Sequence, residues 1–438
     1  MKILGIADSD SYVKWGAAAL AATPAHWDKS FVIIETPFLP TESQRHAAVE
    51  GLPGFGTGLP HLSSTPEVVS LAQLTELVEA EQPDAVLLSL RGPMIRVIIR
   101  EIIPVAKRRP ILISGLPGIS IPATRKALTF RSQVDLIILH SKHEIRDFTE
   151  ITERLRIEQE FGLATLPFLR EPHDEHEKRD EIVFAVQAKV PKLLDERVAI
   201  VNWLAECARR NPKKRVVIKL RAVGDEKQTH AEEYPYDRLL EQLANRPANL
   251  VTESGSMAAH LQRAVGLVTL SSTALIEAAA SGVPGLALDD FGVRGSLINT
   301  VFEGSGLLGS SAQLVNADFR HPSAEWLDDN YFHAEADNDW IDHIDALLAA
   351  REAAALPLRR LAYGRAGGRL RFVWDRKRAL GELDTSVAGH VALVIGYPAR
   401  QVLRVARSTR GAARRIGHPV CRFVARSAVG FSDLATKR

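Results

Sequence analysis

GLVTLSSTALIEAAASGVPGLALDDFG, residues 266–292, decides how the chain folds. Residues 266–270 are a short apolar run, and Ser271, Ser272 and Thr273 follow at once. Residues 274–280 are an Ala-rich helical run carrying Glu277; Ser281-Gly282 ends it and Pro284 blocks its return. Residues 285–288 form a second buried run, closed by Asp289-Asp290. The order is strand, tight turn, helix, strand. Ser and Thr at a helix start cap its free N–H groups. Those N–H groups and the helix dipole also receive anions. In an open α/β sheet this is the edge where phosphate-bearing ligands bind. An ordinary cap on a crossover helix explains the same residues equally well.

The alternation extends upstream. Apolar runs at 2–7, 31–35, 84–90, 110–114 and 135–140 read as strands, separated by helical patterns at 12–22, 67–81, 94–107, 121–131 and 143–159. HDEHEKRD, residues 173–180, is a polar run without periodicity and reads as a linker. Strands at 181–187, 215–221 and 249–253, with helices at 193–210 and 236–246, then lead into the opening stretch. Strands alternating with helices predict parallel sheets covered by helices. The expected fold is α/β, two Rossmann-like domains facing a cleft, plus a basic C-terminal helical tail. The expected boundaries are 1–172 (acceptor side), 181–330 (donor side), 331–390 (helices crossing back to the first domain) and 391–438 (tail). Residues 326–340, acidic and aromatic, read as a surface loop that packs its aromatics inward.

SSTALIEAAASGVPGLALD, residues 271–289, resembles the nucleotide-sugar-binding segment of GT-B glycosyltransferases. Its nearest likeness is to the polysialyltransferase-like and Kdo-transferase-like enzymes that use CMP-activated sugars. ILGIADSDSYVKWGAA, residues 3–18, resembles an uncharacterised actinobacterial glycosyltransferase family. The first likeness covers mainly the second half of the chain, the second most of it. The resemblance implies that Ser271, Ser272 and Thr273 hold the donor phosphate, with Glu277 beside them. The capsule enzymes carry Lys-x-His-Pro at a strand end; here Lys219 matches the Lys, Arg221 stands where the His would be and Ala222 replaces the Pro. Arg binds phosphate in bidentate fashion but is no acid at neutral pH, so an acid role is not inherited; His230 in the following loop is the candidate replacement. Gln187, closing the first strand of this domain, faces the same edge.

In the first half, Asp8-Ser9-Asp10-Ser11 ends the first strand. A carboxylate there faces the ligand crevice, and Asp8 or Asp10 is the candidate general base for an acceptor hydroxyl. Capping of the next helix, or Mg²⁺ held by the Asp-x-Asp pair, are the other readings. Lys14, Arg125 and Lys126 are the candidate acceptor-binding cations; the latter two follow GLPGISIP, residues 115–122, whose glycines permit close approach to a ligand. A solvated helix face explains those cations equally well. GLPGFGTGLP, residues 51–60, lacks the helix that a dinucleotide fingerprint needs and reads as a mobile loop.

The chain has 438 residues, 46% hydrophobic and 25% charged, which suits a globular protein of two domains. Two cysteines argue against a disulfide framework. The acidic start lacks a signal peptide's apolar core, and no apolar run is long enough to span a bilayer. The expectation is therefore a cytoplasmic protein, peripheral at the inner face of the plasma membrane, with no cofactor and no metal. Residues 397–438 carry ten Lys/Arg against one acid, a net of +9, so the remainder of this +2 chain carries −7. Arg400, Arg404 and Arg407 share a helical face opposite Ala399, Val402, Leu403 and Ala406. Such a basic amphipathic stretch predicts an anionic membrane surface as partner; without aromatic interleaving, nucleic acid is not expected. The function expected is transfer of a sugar from a nucleotide-sugar donor, CMP-linked in the nearest resemblance, to an envelope or capsular glycan or lipid-linked acceptor. The enzyme would be inverting and metal-independent. Two alternatives stay open. One is a non-catalytic nucleotide-binding module. The other is a haloacid dehalogenase-like phosphatase with Asp8 as nucleophile, for which Ser89, Lys219 and Asp289-Asp290 are spaced far too widely.

Overall fold

The computed structural model describes residues 1–56, 62–170, 179–188, 190–220, 233–354, 356–359 and 368–396. The chain divides into two compact units, Met1–Gly364 and Arg365–Arg438. The first unit holds two parallel sheets. Sheet A comprises β1 (Lys2–Ala7), β2 (Asp28–Ile34), β3 (Glu67–Val69), β4 (Ala85–Ser89), β5 (Ile111–Gly115), β6 (Leu136–Leu139) and β7 (Glu160–Leu163), in the order β3-β2-β1-β4-β5-β6-β7. Sheet B comprises β8 (Glu181–Ala185), β9 (Arg215–Lys219), β10 (Leu250–Glu253), β11 (Ala264–Thr269), β12 (Gly285–Leu288) and β13 (Leu308–Gly309), in the order β10-β9-β8-β11-β12-β13. Both orders are doubly wound. The strand order reverses beside the first strand of each sheet, which opens a crevice at the carboxyl ends of β1 and β4 and, in sheet B, of β8 and β11.

The central strands are apolar on both faces because helices cover both faces. Every residue of β4, β5, β6 and β8 is buried. The helix Trp340–Ala353 follows the second lobe in sequence, yet Trp340, Ile344 and Leu347 sit in the sheet A core with Trp15, Ile113 and Ile138. Burying each such side chain stabilises the fold by roughly 1.5–3 kcal/mol, which ties the end of the second lobe to the first. A third cluster joins Ile121 and Leu166 to Ala274, Leu275, Phe302, Trp326 and Tyr331, so the two lobes share apolar packing.

Four local expectations need correction. Residues 67–81 do not form one helix: Val68 and Val69 join β3, and Ser70 starts the helix Leu71–Glu81 with a reciprocal capping box to Gln73. Strand β7 and the helix Met257–Arg263 carry too little periodicity to be read in advance. The 326–340 stretch packs its aromatics inward, but it opens within the short helix Ala324–Asp329 rather than as a loop; Trp326 is buried there and its Nε1 donates to the Val301 carbonyl at 2.8 Å. Thr273 precedes the helix Ala274–Ala280 without a side-chain capping bond; Ser272 Oγ accepts from Ala274 N at 3.2 Å instead.

In the second unit the helix Gly368–Leu380 leads through the turn Gly381–Leu383 to a helix at 387–396. Lys377 Nζ donates to the Asp384 carbonyl at 2.5 Å and lies 3.3 Å from His390 Nε2, closing this hairpin. Among the described residues no helix is long and apolar enough to cross a membrane. Residues 397–438, and with them the amphipathic pattern of the tail, lie outside the described residues, as do 57–60 of the Gly-rich loop and 173–178 of the linker.

Candidate active site

Each crevice is bridged by a pair of side chains. In sheet B, Gln187 follows β8 and Ser271 follows β11. Gln187 Oε1 accepts from Ser271 N at 2.9 Å and from Ser271 Oγ at 3.0 Å. Sequence reasoning named both residues but not their bond. Thr269 Oγ1 accepts from Ser272 N at 3.3 Å and donates to the Ala185 carbonyl at 3.0 Å, fixing the turn to the neighbouring strand. Ser271 is thereby buried, while Ser272, Thr273 and Glu277 are half-buried. Lys219, half-buried, ends β9 on the same edge, in register with Ala185. Arg221 and His230 lie outside the described residues.

The loop after β8 is held from below. Arg197, buried on the helix Leu194–Arg210, donates to the carbonyls of Gln187 (3.0 Å), Ala188 (2.8 Å), Pro191 (2.9 Å) and Tyr234 (2.9 Å). A planar fork of five donors suits such a task, and lysine could not replace it. In the first lobe Arg131 has the matching role. It is buried and donates to Ser114 Oγ, to the carbonyls of Leu90 and Gly115, and to Tyr12 Oη. It thus ties the ends of β4 and β5 to the first turn of the helix Asp10–Ala21.

In sheet A the bridging pair is Asp8 and Arg91. Asp8 Oδ2 accepts from Arg91 Nε at 2.8 Å; Oδ1 accepts from Arg91 N at 3.1 Å and from Ser9 Oγ at 3.3 Å. Asp8 is fully buried, and burial raises its carboxyl above the ordinary carboxylate range against the pull of Arg91. Both oxygens are therefore engaged, which counts against Asp8 as a free base. Asp10 differs: it is half-buried, its Oδ2 lies 3.3 Å from Lys14 Nζ, and its Oδ1 is enclosed without a hydrogen-bond partner in the protein. Arg91 had a readable signal, a cation directly after an apolar run, the same sign that singled out Lys219. Arg125 and Lys126 are exposed at the start of the helix Arg125–Arg131.

The two crevices meet along residues 115–122. Gly118 has φ +79°, and a Cβ there would stand 3.1 Å from Thr273 Cγ2. Glycine is needed both for the left-handed backbone and for the approach of the two lobes. Behind this loop Glu144 is fully buried. It accepts from Ser120 N (2.9 Å), His140 N (3.0 Å) and Tyr331 Oη (2.8 Å), and burial raises its pKa. Tyr331 comes from the connection back to the first lobe, so this carboxyl pins that connection to the loop facing Thr273. The signal for it was Ser141-x-x-Glu144, a capping pattern inside what reads as a plain charged helix. His140 Nε2 accepts from Trp15 Nε1 at 2.6 Å, and its Nδ1 lies 2.8 Å from the Ala164 carbonyl; burial lowers its pKa to about 4. This histidine is neutral and committed to structure.

Among the described residues one group has metal-ligand spacing: Glu181, Glu253 and His260. Arg215 pairs with both glutamates and Arg263 with Glu181, so the carboxylates are already neutralised, and Glu181 opens β8 at the edge away from Gln187.

Residues 3–347 match the family described as "Putative glycosyltransferase (DUF6716)". The chain belongs to this family. No curated protein matches this DUF6716 member by sequence. Among solved structures it is similar to a putative UDP-N-acetylglucosamine 2-epimerase from Listeria monocytogenes, with 12% identity, TM-score 0.50, and coverage of 82% of this chain and 99% of that one. It is also similar to a UDP-GlcNAc 2-epimerase from Neisseria meningitidis bound to UDP-GlcNAc (10% identity, TM-score 0.47, coverage 81% and 100%). A third is the lipopolysaccharide outer core galactosyltransferase WaaB (10% identity, TM-score 0.43, coverage 81% and 100%). At such identities the likeness concerns the fold alone. The DUF6716 member has a GT-B-like fold of two Rossmann-like lobes.

Proposed function

We propose that this DUF6716 member transfers a sugar from a nucleotide-sugar donor to an envelope or capsular glycan or lipid-linked acceptor, with inversion and without a metal ion. The observation that carries the reading is the turn at 271–273. It sits at the carboxyl edge where the order of sheet B reverses, is fixed by Gln187 and Thr269, and leaves Ser272 and Thr273 half-buried beside Gly118. There the Ser272 and Thr273 hydroxyls hold the donor phosphates. Lys219, together with Arg221 and His230, neutralises the charge that the leaving nucleotide gains. Glu277 lies behind the turn on the helix that carries it. The acceptor hydroxyl approaches from the sheet A side, where Asp10 takes its proton and Lys14, Arg125 and Lys126 receive anionic parts of the acceptor. A CMP-linked donor follows from the resemblance at 271–289. The basic 397–438 stretch holds the enzyme at the inner face of the membrane, where a lipid-linked acceptor resides.

The phosphatase alternative needs a free nucleophilic carboxylate, and Arg91 occupies both oxygens of Asp8. A thermal-shift panel of CMP, CDP, UDP, GDP and their sugars tests the donor reading, since a ligand of the native state stabilises it by mass action. One nucleotide should stabilise the protein, and Ser272→Ala/Thr273→Ala should weaken it about tenfold or more, roughly 1.4 kcal/mol. The loss of stability should stay near 1 kcal/mol. Unchanged affinity in the double variant removes the donor assignment. Incubating the stabilising sugar nucleotide without acceptor separates the remaining readings: epimerised product marks an epimerase, and binding without turnover in the presence of acceptors marks a binding module.

A further inference from the structure

The helix at 387–396 in the second unit is packed inside out. Its face toward the preceding helix carries the small residues Gly389, Ala392 and Gly396, with the half-buried Leu393 beside them. A Cβ on Gly396 would stand 2.4 Å from the Trp374 ring, and one on Gly389 would stand 2.7 Å from Asp384 Oδ2. Ala392, between them, is buried. The four β-branched residues point the other way. Val387 is 79% exposed, Val391 49%, Val394 72% and Ile395 60%. With 3.6 residues per turn these four positions fall within one stripe roughly 100° wide. A chain that needed this helix only for its own core would reverse the pattern, and a contiguous apolar face of this kind marks an interaction surface. No Asp, Glu, Lys or Arg interrupts residues 387–396, and the next 42 residues carry ten Lys/Arg and one acid.

We propose that the Val387–Val391–Val394–Ile395 face docks into an anionic lipid surface, with the flanking basic chain supplying electrostatic attraction. The charge decides for lipid over a protein partner. An apolar stripe followed at once by a net +9 suits the headgroup boundary of an anionic leaflet, where β-branched side chains enter the acyl region and cations meet the phosphates. The body's −7 is repelled by the same surface, so the stripe and the basic segment must hold it there together. The inference deepens the membrane part of the proposed function. Its test reads lipid partition alone, so its failure leaves the nucleotide-binding reading standing.

The test uses the full chain with Val391→Glu/Val394→Glu, which leaves every basic residue in place. Sedimentation with vesicles of phosphatidylglycerol and phosphatidylcholine should show partition at least about tenfold weaker than wild type, because two apolar side chains no longer enter the bilayer. High salt should release wild type from these vesicles only in part. A second variant, Val391→Trp, keeps the face apolar and serves if the glutamates prevent folding. Its emission should shift to the blue on vesicles and be quenched by brominated lipid. Unchanged partition of the glutamate variant, or a tryptophan emission that vesicles leave unmoved, overturns the proposal. So does a concentration-dependent dimer that the glutamates dissociate without effect on lipid binding, which would make the occupant a second copy of the chain. A fall in thermal stability alone, with lipid binding intact, overturns it in favour of packing within the chain.

Discussion

Asp8→Asn and Asp10→Asn separate two carboxylates that stand two residues apart in sequence and occupy different environments. To act as a base, Asp8 would have to release Arg91, whose bonds at 2.8 and 3.1 Å engage both its oxygens. Breaking a buried pair costs about 3 kcal/mol or more, which would lower the rate over a hundredfold before any proton moved. Asp10 has no such cost: its Oδ1 has no protein hydrogen-bond partner, and Lys14 at 3.3 Å meets its Oδ2 from the exposed side. Asp10→Asn should therefore lower transfer by about 10²–10⁴, the range of a positioned general base. Donor binding should persist. Its stability cost should remain below about 1 kcal/mol, since the pair with Lys14 is half-exposed and solvent-screened. Asp8→Asn should keep transfer within about tenfold of wild type, because the asparagine amide oxygen can still accept one of the two bonds from Arg91 and the group is not itself the base. The assay is product formation at saturating donor, with melting curves for each variant. Loss of transfer in Asp8→Asn with full activity in Asp10→Asn refutes the reasoning.

Two further outcomes follow from buried groups. His140 has a folded pKa near 4 against 6.5 in the unfolded chain, so the unfolded chain binds the extra proton between those values and stability falls as pH drops through that window, by about 3 kcal/mol in all; His140→Gln should flatten this part of the pH–stability curve, and an unchanged slope disproves the assignment. Arg197→Lys should lose about 3 kcal/mol, because an ammonium cannot reach four carbonyls at once; it should also weaken the stabilising nucleotide, since the Gln187 backbone loses its support, and unaltered nucleotide affinity in a folded variant contradicts that link.

The architecture was legible because parallel strands buried on both faces leave long apolar runs, and residues 2–7, 84–90 and 110–114 are such runs. Strands β3 and β7 escaped because edge strands of three and four residues carry little periodicity. The turn at 271–273 was legible because hydroxyl residues between an apolar run and an Ala-rich run mark a strand-to-helix handover, whether as a cap or as an anion site. What the sequence could not reveal was pairing. Gln187 and Ser271 are 84 residues apart, and Asp8 and Arg91 are 83 apart. Only the crossing of strands brings each pair together, and it made Asp8, one of the two candidate bases, half of an ion pair. Arg131 and Arg197 were hidden for a related reason. An arginine in a helix reads as surface charge, and nothing local announces that four acceptors converge on it.

The chemistry of the two bridges argues for which lobe takes the donor. At the sheet A crevice the bridging carboxylate is already matched by Arg91, and Asp10 adds a second acid one turn of chain away. A donor phosphate brought there would meet carboxylates at close range in a partly desolvated site, where repulsion is strong. At the sheet B crevice the bridge is neutral, an amide oxygen accepting from a hydroxyl and a backbone N–H. The acid in that helix, Glu277, is one turn beyond Thr273, and Lys219 ends the strand next to β8 on the same edge. On the proposed reading, a donor phosphate there meets neutral hydrogen-bonding groups and a lysine rather than a bridging carboxylate. On that reading Asp10, across the cleft, serves the step that phosphate binding cannot perform, removal of a proton from the acceptor. Exchanging the bridges should expose this division: Gln187→Glu places a carboxylate against Ser271, and it should abolish nucleotide binding through repulsion while the fold, which keeps an oxygen to accept both bonds from Ser271, survives. Nucleotide binding that withstands Gln187→Glu would mean that the phosphates lie elsewhere.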